Sequence, residues 1–159
     1  NFSAAEKAYS TARRLSPTLV GVNYEIGSIL LSEGKFALAR TMFESETLSA
    51  FSRIGLSMSY YAQGEHDKSL ELLKDLISNY GDKIPYYIGL IMAFQGDIDR
   101  AFEWLDTARA AEDSALSNTA NEPLLENLHS DPRWLPFLES IGRAPEQLNA
   151  IQFSVSLPK

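Results

Sequence analysis

The chain contains no cysteine, which removes disulfides, thiolate metal sites and cysteine nucleophiles together and leaves the redox compartment open. Basic charge is scarce too: fourteen Lys and Arg stand against twenty-one Asp and Glu, a formal net charge of -7. No positive field draws in phosphate backbones or an anionic lipid face, so nucleic acid is not an expected partner. Long apolar runs are missing. The longest, around Ile84 to Phe94, is interrupted by Pro85 and Gly89 and falls far short of the roughly 20 residues needed to cross a bilayer, so no membrane insertion is expected. The chain opens on Asn1 rather than Met, with no charged-then-apolar leader, and is expected to be part of a longer protein. The expected setting is a soluble domain, either cytoplasmic or the soluble extracytoplasmic part of a membrane-anchored protein. What is present is the composition of one folded unit: 159 residues, 45% hydrophobic, enough to bury a real core.

Self-similarity organises the chain. Three short turns read Gly34-Lys35-Phe36, Gly64-Glu65-His66 and Gly96-Asp97-Ile98, at spacings of 30 and 32 residues, each between two apolar helical stretches. Small residues stand in register at Gly27, Ser57 and Gly89 before the turns and at Ala39, Ser69 and Ala101 after them. Bulky residues flank them at Leu30, Tyr60 and Met92, and at Phe43, Leu73 and Leu105. Small residues on both helices of a pair let the backbones approach, and the bulky ones fill the sides of that contact. Glycine supplies the left-handed conformation that stops the first helix. Extended backwards, the pattern places Phe2, Ala5, Tyr9 and Ala12 on the second helix of an incomplete repeat closed by Pro17.

On these columns the chain resembles a tetratricopeptide repeat (TPR) array. The usual small, aromatic and glycine positions are matched by Gly27, Gly34, Phe36, Ala39 and Phe43, and again by Gly89, Gly96, Ile98 and Ala101. The middle repeat departs from them at Ser57, His66 and Ser69, and the short spacings imply shortened second helices or tight turns near Thr47 to Ala50 and Asn79 to Lys83. The resemblance implies an all-α fold, a right-handed α-α superhelix or solenoid with a helical C-terminal cap. Its expected divisions are 1–17 for the incomplete repeat, 18–48, 49–80 and 81–112 for three repeats, 113–150 for the cap and 151–159 for an extended tail, all within one domain.

The period fails after Ala111, where Ser, Asn and Pro accumulate over 114–123. Short helices are expected from Pro123, from Asp131 as N-cap through Trp134 and Leu138 to Gly142, and from Pro145. A solenoid needs such an end because its last repeat would otherwise expose a stacking face. The string from Asn121 to Leu128, with Asp131-Pro132-Arg133-Trp134, resembles the ending of TPR regions in bacterial multidomain proteins. That likeness implies a regulatory or signalling parent bearing a winged-helix DNA-binding or nucleotide cyclase domain. In the tail, Ile151, Phe153, Val155 and Leu157 alternate with a strand period.

Catalytic apparatus is not visible, and neither an enzymatic activity nor a cofactor is expected. His66 and His129 lie in different contexts without a second ligand at helical spacing. Gly55 to Ser59 lacks the final glycine of a nucleophile elbow and sits mid-helix. The turn glycines carry no following Lys-Ser/Thr of a phosphate loop, and Asp97-Ile98-Asp99 reads as helix-start charge.

The resemblance further implies that the first helix of each pair lines a concave groove. The corresponding residues are Tyr24, Ser28 and Leu31, then Ile54, Met58 and Tyr61, then Tyr86, Leu90 and Phe94, an apolar and aromatic wall with no metal ligand. TPR domains that clamp the C-terminal carboxylate of heat-shock chaperones need Lys, Arg and Asn there, so that mode is excluded. An exposed trough of this kind marks an interaction site, with a protein or peptide as the expected partner. Its alternatives are a second copy of the chain in a homodimer and the chain's own tail. A further reading leaves these residues internal because short repeats coil tightly.

Overall fold

The computed structural model describes residues 20–151, together with Lys7, Tyr9, Thr11, Arg14 and Leu15. Those five isolated positions are helical, and the rest of 1–17, like the tail beyond Ile151, lies outside the described residues. Six helices follow as three pairs: α1 (Val22–Ser32) with α2 (Phe36–Glu44), α3 (Ser49–Ala62) with α4 (His66–Tyr80), and α5 (Pro85–Phe94) with α6 (Ile98–Ala110). Each pair packs internally, α2 bridges to α3 and α4 to α5, and the leading helices α1, α3 and α5 touch in order. This is an all-α, α-α superhelical repeat fold; among the described residues there is no strand.

The turns repeat as the glycine spacing predicts. Gly34, Gly64 and Gly96 take φ of 74°, 78° and 81°. The next amide reaches back in each case, Lys35 N–H to Leu30 O (2.8 Å), Glu65 N–H to Tyr60 O (2.9 Å) and Asp97 N–H to Met92 O (2.9 Å). These bonds satisfy carbonyls that the helix end leaves orphaned.

Close approach at the small-residue columns is equally plain. The Phe43 ring is wedged between α1 and α3: a Cβ on Gly27 would stand 2.5 Å from Phe43 Cε1, and one on Gly55 2.0 Å from Phe43 Cδ1. In the third pair a Cβ on Gly89 would meet the Ala101 carbonyl oxygen at 3.2 Å. The departure at Ser57 and Ser69 has a physical explanation. Both are buried, and they exchange hydrogen bonds: Ser57 Oγ donates to Ser69 O (3.1 Å) and Ser69 Oγ to Ser57 O (2.7 Å). Two small hydroxyls thus satisfy each other across the contact that glycine and alanine make elsewhere. The missing residues of the first spacing come out of α2, which has 9 residues against 15 in α4 and 13 in α6.

Beyond α6 the expected helices are partly of another kind. Ser114–Asn121, where the repeat period fails, is a 3-10 helix, and so is Pro123–Leu128. Asp113 and Glu122 each accept a backbone N–H two residues on, from Ala115 (2.9 Å) and Leu124 (3.1 Å). Such side-chain bonds compete with an α-helical ladder and favour short tight turns. Then come α7 (Trp134–Ser140), which begins three residues after Asp131, and α8 (Pro145–Asn149). Leu116, Leu125, Leu128, Trp134 and Phe137 join the same buried cluster as the three pairs. Arg133 ties α7 to α6 by an ion pair with Asp99 (2.9 Å) and by stacking over Phe102.

Candidate functional site

The leading helices were expected to line an open trough, and here the structure differs. Tyr24, Ser28, Leu31, Ile54, Met58, Tyr86 and Leu90 are all buried, while Tyr61 and Phe94 keep partial exposure. Two causes act together. Leading helices of short repeats pack directly on one another, so Ile54 and Met58 of α3 are enclosed between α1 and α5. In addition, Pro123–Leu128 folds back as a clasp that lies on α5 and reaches α1. Its Leu124, Leu125 and Leu128 are buried, and Asn127 Nδ2 donates to Ala93 O at the end of α5 (2.9 Å). At the edge left open, the Tyr61 hydroxyl donates to Gln95 O (2.8 Å) and its ring meets that of Phe94 edge-on.

The closure is incomplete. A cavity of about 380 Å³ remains between α1, α5 and the cap, lined by Tyr9, Tyr24, Glu25, Tyr86, Tyr87 and Glu122 among others. Tyr87 stands edge-on to both neighbours, 6.0 Å from Tyr24 and 5.4 Å from Tyr86 between ring centroids. Glu25 sits at the rim with its side chain still open to solvent, where Tyr9 Oη donates to it at 3.5 Å. Glu122, contributed by the cap to the same lining, is half-buried. Burial, and then the Glu25 charge, raise the Glu122 carboxyl, with the Leu124 N–H pulling partly back. Burial likewise raises Glu25, offset by the Tyr9 hydroxyl. Burial and the nearby carboxylates push the Tyr87 hydroxyl up to about 12 and raise Tyr24 and Tyr86 as well. This wall is aromatic and acidic rather than purely greasy, which the helical columns alone did not show: Glu25 is off the groove column and Glu122 comes from the cap.

A second pair of acidic residues escaped the periodicity. Glu46 is 7% exposed and accepts from Gly21 N–H (3.2 Å), Tyr24 N–H (3.2 Å) and Leu48 N–H (2.9 Å), capping α1 from beyond the end of α2. Asp113 repeats the device past α6 by accepting from Tyr86 N–H at the start of α5 (3.3 Å). A carboxylate just beyond the second helix of a pair was the available signal. His66 packs on Tyr61 and His129 on Trp134. Among the described residues no cluster of His, Cys, Asp or Glu is arranged to hold a metal ion, and no helix is long and apolar enough to cross a membrane.

Three stacked pairs with matching glycine turns define a helical-repeat protein of the α-α superhelical class. A family model for the tetratricopeptide repeat matches residues 53–82, most of the α3–α4 pair, so that pair is a TPR repeat. Repeats of this family are generally non-catalytic and act in protein–protein interaction. Neither the curated proteins nor the solved structures compared with the chain gave a match.

Proposed function

We propose that the chain is a non-catalytic interaction module that receives a peptide or protein segment on what stays open of its inner face, from the Tyr61–Phe94 edge to the tyrosine-walled cavity. One observation carries this reading. Where α1 and α5 meet the cap, about 380 Å³ is left unfilled, walled by rings, amides and carboxylates suited to grip a side chain. The TPR match over 53–82 supports a protein as the partner. The likeness of residues 121–134 to the endings of TPR regions in bacterial regulators supports a place as adaptor within a larger signalling protein.

Panning a random peptide library against the chain tests the reading. Selected peptides are expected to compete with one another and to lose most of their affinity for Asn118→Trp, a change at an exposed position of the cavity mouth. Peptides indifferent to that change would move the contact elsewhere. A dimer seen by light scattering and broken by the same change would replace the reading with self-association.

A further inference from the structure

Two carboxylates from elements nearly a hundred residues apart in the chain face one cavity, and the described residues lining it include no Lys, Arg or His. Each is close enough for the Glu25 charge to raise the Glu122 carboxyl. Asp113 adds further negative charge felt by Tyr86 and Tyr87. Like charges brought together beside apolar rings destabilise the fold unless a cation joins them.

Unpartnered hydroxyls point the same way. Tyr86 is 2% exposed and Ser28 9% exposed, both line the cavity, and neither Tyr86 Oη nor Ser28 Oγ has a hydrogen-bond partner. Thr119 Oγ1 beside Tyr86, and Ser28 beside Tyr24, come near enough to ease the burial of the phenols without completing a bond of normal geometry. Buried hydroxyls without partners keep hydrogen-bonding capacity, acceptor lone pairs included, that a shift of the side chain could turn to a ligand. An ammonium group carries three donors and no acceptor, the complement of carboxylates plus free hydroxyl oxygens. Tyrosine faces set at right angles add attraction for a cation through the ring quadrupole and offer apolar area to a methylene stem.

The geometry points to an alkylammonium site: the cavity takes a primary ammonium head between Glu25 and Glu122, with its aliphatic stem against Tyr24, Tyr86 and Tyr87. This deepens the module reading and rests on it only for the source of the group, the lysine side chain of a bound partner. A free amine would present the same head and stem.

Amide chemical shifts of the whole chain, titrated separately with n-butylammonium chloride, N-acetyl-lysine methylamide and their neutral counterparts n-butanol and N-acetyl-norleucine methylamide, test the inference. Both ammonium probes are expected to shift amides of α1, α5 and residues 118–124 saturably, and the neutral probes to bind at least about tenfold more weakly. Glu25→Gln and Glu122→Gln are each expected to weaken the ammonium probes about tenfold, and in the second the amide oxygen still accepts from Leu124 N–H. Equal binding of charged and neutral probes, or no saturable shift, overturns the inference without recourse to any variant. Should butylammonium bind and the lysine derivative fail, the ammonium chemistry stands with a free amine as its source. Selected peptides that bind the inner face while amines do not would overturn the ammonium site and leave the module reading intact.

Discussion

Among the described residues, Glu112 alone takes a positive φ without being glycine, at 52°. It occupies the position that Gly34, Gly64 and Gly96 fill in the other turns, for Asp113 N–H reaches back to Ala108 O (2.9 Å) just as Lys35 does to Leu30. A side chain in the left-handed region is strained by its Cβ against the backbone. Glu112→Gly is therefore expected to stabilise the protein by about 1 kcal/mol, net of the extra freedom glycine gives the unfolded chain. A rise in the urea midpoint at unchanged slope would register it; a lower midpoint would mean that the Glu112 side chain supplies more than the strain costs. This residue also marks a boundary of legibility. Glycine turns and small-residue columns could be read because only a few residue types fit them. The turn at Glu112 uses the same geometry with a residue that fits it poorly, so nothing in the spelling of the chain announced it.

At the scale of the helix, the caps decide acid sensitivity. Burial alone would raise the Glu46 carboxyl, but the N–H groups of Leu48, Gly21 and Tyr24 outweigh it and hold the carboxyl below its ordinary value of 4.5. Folding thus favours its ionised form, and the stabilisation is complete above the unfolded value and lost as pH falls through the folded one. Glu46→Ala is expected to cost about 1–2 kcal/mol at pH 7, with the gap from the parent chain closing in denaturation curves taken near pH 3. A gap independent of pH would show that packing, not the charged cap, is at stake. Glu122 has the opposite sign, since its carboxyl is raised and its ionised form is disfavoured in the fold. Glu122→Gln is expected to raise the melting temperature at pH 7, with the gain fading as acidification protonates the parent; a lower melting temperature at pH 7 would contradict it. The six helices were legible from their period. The helix from Pro123 was legible too, but its 3-10 form and the separate helix at Ser114–Asn121 were not, because their determinants are single side-chain bonds from Asp113 and Glu122 rather than a repeating face.

At the scale of the whole molecule, column arithmetic picked out Tyr24, Met58 and Leu90 as inward-facing, yet wet and dry inner faces share one pattern of residues. Which of the two obtains depends on how tightly the pairs coil and on the clasp, whose leucines lie some seventy residues beyond Met58. Stacked repeats contact only their neighbours and tend to unfold piecemeal. Here the clasp touches α1 as well as α5, coupling the first described pair to the last. Urea unfolding followed by far-ultraviolet circular dichroism and by the emission of Trp104 and Trp134 is expected to give coincident single transitions. An earlier loss of helix signal than of tryptophan signal would show the first pair melting alone.

That return of the chain to Val22–Ser32 also limits how the protein can change. An open stack lengthens by duplication of a unit, with each copy finding the same seat. Here another unit inserted between Glu44 and Pro85 would carry Val22–Ser32 out of reach of Pro123–Leu128, so the number of units between these two elements is set by a latch that fits only one circumference.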